Sequence, residues 1–368
     1  MIYRLVLALR HLFYDKGWKK SFSTDVPSVC IGNVTVGGTG KTPMVELALR
    51  TLLEDQGESD PAILEEGFVG GLFDAPRIAP AVLSRGYGRS TRGFLEVRED
   101  GRASDFGDEP LQIKRNFPSV VVAVDENRVE GCARLSSSCD IIILDDAFQH
   151  RRIKADKNIV LTTYSRPYFK DKLMPLGRLR DLGSRAAKAD MIIVTKCPSY
   201  LDEEERAQWA ASIGISSFDP VSCKGVRQDG KEQFLLFATM QYNPLVPVFE
   251  DAANPRYVHS KMAIAFSAIA DDRAFLAHLR EQYNIVSDIK FADHHAFTAA
   301  DLGGIAARAA AFRTSILITT QKDAQRLRDV SSLVAEEIKS RLFHVPVSTV
   351  MLTEREQRAF KDFLKNTI

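Results

Sequence analysis

The stretch Asn33-Val34-Thr35-Val36-Gly37-Gly38-Thr39-Gly40-Lys41-Thr42, led in by the apolar run Val29-Cys30-Ile31 and followed by Met44-Val45-Glu46-Leu47-Ala48-Leu49, decides the fold. A short strand, a glycine-rich turn and a helix start together make a phosphate cradle. Glycines let backbone N–H groups converge on an anion, and the helix N-terminus adds the positive end of its dipole. The residues expected to line the nucleotide are Thr35, Val36, Gly37, Gly38, Thr39, Gly40, Lys41 and Thr42. Lys41 would reach the β- and γ-phosphates and the Thr42 hydroxyl would hold Mg²⁺. The usual pattern begins with glycine where this chain has Thr35.

Working outward, apolar strand-like runs at 81–83, 94–97, 120–124, 141–144, 159–161 and 191–194 alternate with helical segments. That alternation predicts an α/β protein: a mainly parallel, P-loop NTPase-like sheet covered on both faces. Residues 54–76 mix Gly, Asp, Glu and Pro and read as an insertion or flexible loop. Residues 208–243 are less regular, with a turn signal at Asp229-Gly230. The domain boundary is expected there, with residues 1–225 forming the P-loop domain and 226–368 a smaller α/β domain closing over the cleft. In that second part, strands are expected at 262–266, 285–291 and 315–318, and helices at 273–283, 300–311 and 354–366.

A length of 368 residues suits two such domains, and 45% hydrophobic with 26% charged residues is ordinary for a globular protein with real cores. A net charge of +1 argues against a nucleic-acid partner. The cysteines (Cys30, Cys132, Cys139, Cys197, Cys223) have no metal-ligand spacing and read as buried thiols of a reducing cytoplasm.

No apolar run is long enough to span a bilayer. The N-terminus nevertheless carries Ile2, Leu5, Val6, Leu9, Leu12 and Phe13 at helical spacing, followed by Lys16, Trp18, Lys19 and Lys20. Such a helix can lie in a membrane interface. The simpler expectation is that it docks its apolar stripe on the first domain. The segment 170–188, with Lys172, Arg178, Arg180, Arg185 and Lys188 near Leu173, Met174 and Leu176, suits anionic lipid head groups or plain solvation equally.

A P-loop enzyme needs a carboxylate near Mg²⁺, usually at the end of a neighbouring strand. The run Ile141-Ile142-Ile143-Leu144-Asp145-Asp146 supplies two, with Gln149 and His150 just beyond. Sequence does not rank Asp145 against Asp146 as the metal ligand. A dimerising switch ATPase would carry a lysine where Val36 stands, so that class falls. The nearest echo of a guanine-selecting motif, Thr195-Lys196-Cys197-Pro198, lacks both Asn and Asp.

Taken in order, several strings resemble the tetraacyldisaccharide 4′-kinases, the lipid A 4′-kinases of Gram-negative bacteria. They are Gly32–Pro43, Leu83-Ser84-Arg85-Gly86-Tyr87-Gly88-Arg89, Gly107-Asp108-Glu109-Pro110, Asp145-Asp146-Ala147-Phe148-Gln149-His150, Val194-Thr195-Lys196-Cys197, Phe291-Ala292-Asp293-His294-His295-Ala296-Phe297 and Thr319-Thr320-Gln321-Lys322-Asp323-Ala324. Two positions depart from the family's habit: Ala147 stands where glycine is usual, and Gln321 where glutamate is common. The resemblance implies ATP- and Mg²⁺-dependent transfer of a phosphoryl group to the 4′-hydroxyl of an acylated glucosamine disaccharide 1-phosphate. It implies two α/β domains with the site between them, at the cytoplasmic face of the inner membrane.

By that resemblance Asp108 is the candidate base for the sugar hydroxyl, aided by the pair His294-His295, with His294 favoured. Such a pairing calls for cleft closure. Without the resemblance, Asp108 before Glu109-Pro110 would read as a helix cap. Arg85, Tyr87 and Arg89, with Gln149 and His150, are the candidate substrate contacts, since planar guanidinium suits phosphate. The alternatives are a P-loop kinase of a soluble sugar or nucleoside, or a nucleotide-dependent switch.

Overall fold

The computed structural model describes residues 2–54, 78–249 and 259–368, so most of the expected insertion at 54–76 lies outside the described residues. Among the described residues seven strands run parallel in one sheet. Their order from one edge is Val121–Val124, Pro80–Ser84, Ile141–Asp145, Ser28–Asn33, Lys157–Thr163, Met191–Thr195 and Glu232–Tyr242. The central strands are buried along their whole length, which is why they read as unbroken apolar runs rather than alternating ones. The expected strand at 94–97 is a two-residue antiparallel edge, Leu95–Glu96.

The second sheet orders Leu342–Val345, Ile316–Thr320, Met262–Ser267 and Asn284–Lys290 in parallel, with Val246–Pro247 antiparallel at the edge. Two cores, one around Ile264, Phe266 and Leu317 and one around Ala265, Phe275 and Phe343, cover its faces.

The boundary near residue 225 needs correction. The irregular stretch after residue 208 contains antiparallel strands Ile215–Asp219 and Lys224–Arg227 joined to the large sheet. Strand Glu232–Tyr242 then pairs through Phe234–Phe237 with Met191–Val194, inside the first domain. Its second half pairs antiparallel with Val347–Met351, the returning strand, so a two-stranded ribbon joins the domains. The chain ends back on the first domain, where helix Glu354–Lys365 buries Phe360, Phe363 and Leu364 among Met44, Leu49 and Ile113. Sequence placed this helix by proximity in the chain; apolar complementarity places it on the other domain.

The N-terminal helix, Ile2–Asp15, also departs from expectation. It docks through its polar side. Leu7 and His11 are buried, His11 Nε2 lies 2.6 Å from Asp181 Oδ1, Arg10 donates to the Gln149 carbonyl (2.7 Å) and Tyr3 donates to the Arg180 carbonyl (2.9 Å). Arg151 pairs with Asp15 at 2.7 Å. The apolar stripe faces water: Ile2, Leu5, Val6, Leu9, Leu12 and Phe13 are exposed, and Trp18, 70% exposed, packs its ring 5.4 Å from that of Phe13.

Because Phe360 is fully enclosed by first-domain side chains, Phe360→Ala should destabilise that domain by about 3–5 kcal/mol. Urea unfolding of the variant should show a lower midpoint with little change in slope.

Candidate active site

The carboxyl ends of the adjacent strands Ser28–Asn33, Ile141–Asp145 and Pro80–Ser84 open onto one edge, where ligands of open α/β sheets bind. The glycine-rich loop leaves the first of them. Gly37 (φ 98°) and Gly40 (φ 83°) hold left-handed backbone that other residues rarely adopt, and Gly40 immediately precedes helix Lys41–Leu53. The loop is braced from several sides. Asn33 Nδ2 donates to Thr39 Oγ1 (2.6 Å), Thr195 Oγ1 donates to the Thr39 carbonyl (2.8 Å) and Gln149 Nε2 donates to the Asn33 carbonyl (2.6 Å). Val36 N–H donates to the Arg178 carbonyl (2.7 Å), so this N–H, expected among the phosphate donors, is engaged in holding the loop.

Two carboxylates follow the neighbouring strand and their environments separate them. Asp146 is gripped by both ends of the Arg180 guanidinium and lies 3.8 Å from Lys41 Nζ. Burial opposes its charge, but Lys41 and Arg180 outweigh burial and hold it below the usual carboxylate range. Asp145 is buried, takes a hydrogen bond from Ser84 Oγ on Oδ2 (2.9 Å), and leaves Oδ1 buried without a partner. Burial, with Glu109 and Asp146 nearby, pushes it up to about 7. Arg180, read from sequence as either a lipid-facing or a solvated cation, is therefore a site residue. Arg185 of the same segment is also engaged, 3.6 Å from Asp15.

The substrate candidates divide. Arg85 and Tyr87 are exposed, on the wall of a cavity of about 510 Å³ also lined by Arg89, Thr91, Arg92 and Glu126. Arg89 is already neutralised by Glu126 and bonded to the Gly93 carbonyl (2.7 Å), which makes it a brace of the loop rather than an open anion site. Gln149 is committed to the Asn33 carbonyl. His150 is half-buried with Nε2 unpartnered, and burial together with Arg128 lowers it to about 4, so it is a neutral hydrogen-bonding group near pH 7.

Asp108 opens helix Asp108–Asn116, whose N-cap is Gly107 with no side-chain cap, so the helix-cap reading fails. Gly107 (φ 92°) sits so close to Gly86 that an added Cβ would lie 3.2 Å from its backbone, which draws the Arg85–Arg89 loop beside Asp108. The Asp108 carboxylate faces the second domain. His294 Nδ1 is 3.4 Å from its Oδ2, and the His294 ring lies 5.7 Å from that of Tyr87. His295 turns away: its Nε2 meets Asp301 Oδ2 at 2.9 Å and its ring stacks on Phe291, so it belongs to the capping of helix Ala299–Ala311.

Helix Gln321–Asp329 lies against helix Asp108–Asn116 and supplies, besides the motif residues Gln321 and Lys322, a group that sequence reasoning did not single out, Arg326. Arg326 pairs with Asp108, Lys322 with Glu109, and Gln321 Nε2 donates to Asn116 Oδ1 (3.2 Å). The last contact gives position 321 an uncharged role. The signal was present: Arg326 falls four residues after Lys322 and three after Asp323, the spacings at which helix side chains become neighbours.

The raised Asp145 has a consequence for stability. A carboxyl whose folded value lies above its ordinary 3.8 favours folding below that pH, and the advantage is lost as pH climbs through about 7. Asp145→Asn should therefore melt higher than the unmodified, ligand-free protein at pH 8, with the gap narrowing toward pH 5. Thermal melts at the two pH values check this; equal melting at pH 8 would contradict it.

With this geometry in place, likeness to known proteins is informative. The family model for tetraacyldisaccharide-1-P 4′-kinase matches residues 1–76 and 68–368. A tetraacyldisaccharide 4′-kinase of Porphyromonas gingivalis is 34% identical over 383 residues, covering 100% of this chain and 95% of the relative. One from Flavobacterium johnsoniae is 33% identical, covering 97% and 92%. Among solved structures, LpxK from Aquifex aeolicus, determined in complex with ATP, is similar at a TM-score of 0.68 and 25% identity, covering 100% of this chain and 96% of that one.

Proposed function

Because this chain belongs to the tetraacyldisaccharide-1-P 4′-kinase family, we propose that the cleft between its two domains carries out the family's phosphoryl transfer with Lys41, Asp108 and His294 in the leading roles. The enzyme is an ATP-dependent kinase that phosphorylates the 4′-hydroxyl of an acylated glucosamine disaccharide 1-phosphate in lipid A biosynthesis. The observation that carries the residue assignment is the meeting of two constellations on one edge of the sheet. Lys41 beside Asp146 belongs to the phosphate loop, and Asp108 beside His294 spans the cleft.

Phosphoryl transfer leaves a protein chiefly to position groups and neutralise charge. The loop N–H groups and the first turn of helix Lys41–Leu53 bind the phosphates, and Lys41 neutralises charge on the group in transit. Asp108 accepts the proton of the attacking hydroxyl, and His294 orients that carboxylate. Arg85 and Tyr87 line the side by which the disaccharide approaches, with the neutral His150 as a hydrogen-bonding group deeper in.

Mg²⁺ fits the residues present. Asp145 keeps a buried oxygen without a partner, whereas Asp146 is already committed to Arg180 and Lys41. Asp145, with the Thr42 hydroxyl, would hold the ion, while Asp146 keeps Lys41 and Arg180 in register. When bound, the ion supplies positive charge to the nucleotide phosphates.

The exposed stripe of the N-terminal helix supports peripheral association with a membrane surface. Fully burying one such side chain is worth about 1.5–3 kcal/mol, and here six stand in water beside Lys16, Lys19 and Lys20. The nearby loop adds Met174 and Leu176, the latter 84% exposed. This orientation would set the cleft at the cytoplasmic face of the inner membrane, where a lipid acceptor is within reach.

Three outcomes are expected. Transfer of labelled γ-phosphate from ATP to the tetraacylated disaccharide 1-phosphate should occur with the unmodified protein and fall by about 10²-fold or more in Lys41→Ala; a fully active variant would remove the phosphate-loop assignment. Asp108→Ala should cut kcat by about 10²–10⁴-fold with far less change in the KM for ATP. Leu5→Asp/Leu9→Asp should lose co-sedimentation with anionic phospholipid vesicles yet keep transfer to detergent-dispersed acceptor; undiminished vesicle binding would exclude the helix as the contact.

A further inference from the structure

The Asp108 carboxylate meets a second partner besides His294. Arg326 donates from Nε to Asp108 Oδ2 (2.9 Å) and from Nη2 to the same oxygen. Its Nη2 also lies 3.1 Å from His294 Nδ1. We propose that Arg326 is a positioning residue for the transfer step: a guanidinium supplied by the second domain that keeps the Asp108 carboxylate ionised and turned toward the acceptor hydroxyl.

Arg326 is held from behind before it reaches Asp108. Nη1 donates to Asp323 Oδ1 (2.9 Å) and to the Ala268 carbonyl (3.3 Å). Asp323 is itself pinned, since its Oδ2 accepts from Ala268 N–H (2.9 Å) and Thr320 Oγ1 (2.6 Å). The Arg326 side chain is 9% exposed, so these bonds fix the guanidinium plane and present the Nε–Nη2 edge across the cleft. Only a closed pair of domains delivers that edge to Asp108.

Two consequences follow from the atoms involved. The contacts from Arg326 and His294 fall on Oδ2, and Oδ1 takes none of them, so Oδ1 is the oxygen left for an acceptor hydroxyl. A guanidinium has donors only, so a proton on His294 Nδ1 is given to Asp108 Oδ2 and not to Arg326. Burial raises the Asp108 carboxyl, but the bonds from His294 and Arg326 outweigh burial and leave it below the ordinary value. The other charged groups facing it are Lys322 and Asp323 on the Arg326 helix, Glu109 on its own helix, and Asp293 beside His294.

This inference rests on the reading of Asp108 as the proton acceptor, and the test separates the two. With the full-length enzyme, ATP and detergent-dispersed acceptor, kcat, KM for ATP and the pH dependence of kcat/KM are measured for Arg326→Met, Arg326→Gln, Arg326→Lys, Asp108→Asn and Asp108→Asn/Arg326→Met. Removing the cation should lower kcat by about 10²-fold with the KM for ATP nearly unchanged. It should also move the acid limb upward by about one pH unit or more, because Asp108 then takes up a proton at higher pH. Arg326→Gln serves as a second neutral variant of different shape should Arg326→Met fail to fold, and Arg326→Lys should restore the acid limb. In the Asp108→Asn background the Arg326 change should add no further loss. Unchanged kcat in the neutral variants, or a loss that leaves the acid limb in place and adds fully to that of Asp108→Asn, overturns the proposal. Full activity of Asp108→Asn removes the proton-acceptor reading beneath it.

Discussion

Parallel strands deliver their carboxyl ends to one edge, and everything chemical in this protein hangs from that edge. Register sets the levels: Ile31 lies beside Asp145, so the glycine-rich loop leaves its strand just above the acid pair. Ser84, ending the next strand, reaches Asp145 directly, and Thr195, three strands from Ser84's neighbour Asp145 on the other side of the loop, ties down Thr39. The loop could not hold its left-handed glycines open to an anion without these braces, because backbone of that kind carries little packing of its own.

The second constraint is charge. Lys41, Asp145, Asp146, Arg180, Glu109 and Lys322 crowd the same edge, and the pattern of pairing decides what each group does. Asp146 is satisfied by cations and stays ionised; Asp145 is left with a bare buried oxygen and is pushed toward neutrality. Two acids adjacent in the chain thus acquire opposite characters. Across the cleft the helices Asp108–Asn116 and Gln321–Asp329 meet mainly through ion pairs and amide contacts, so their interface is polar and specific in register. An interface of that kind suits domains that must part and rejoin around a substrate.

The two ends of the chain lean on the first domain in different ways. The C-terminal helix contributes Phe360, Phe363 and Leu364 to its core, so the smaller domain is inserted between parts of the larger one and joined to it by a ribbon. The N-terminal helix instead anchors through polar contacts and turns its apolar stripe outward. A helix with two usable faces cannot be assigned from periodicity, since the moment gives the direction of the stripe and not what lies against it.

The phosphate loop, the acid pair after a buried strand and the parallel α/β architecture were all legible in the sequence, because strand–glycine turn–helix and long apolar runs are local patterns. So was the spacing that puts Lys322 and Arg326 on one helical face. Asp108 was legible only through resemblance, since Asp-Glu-Pro at a helix start has an ordinary local explanation. What tertiary structure alone decided is which partner each polar group meets: Arg180 on Asp146 rather than on lipid or in solvent, Arg89 on Glu126 rather than on phosphate, His295 in a helix cap, and Arg326 on Asp108 over 218 residues of chain. Periodicity specifies the kind of element and the side on which its apolar residues gather. Pairing of charges across distant elements depends on packing geometry, and that is written in no short stretch of sequence.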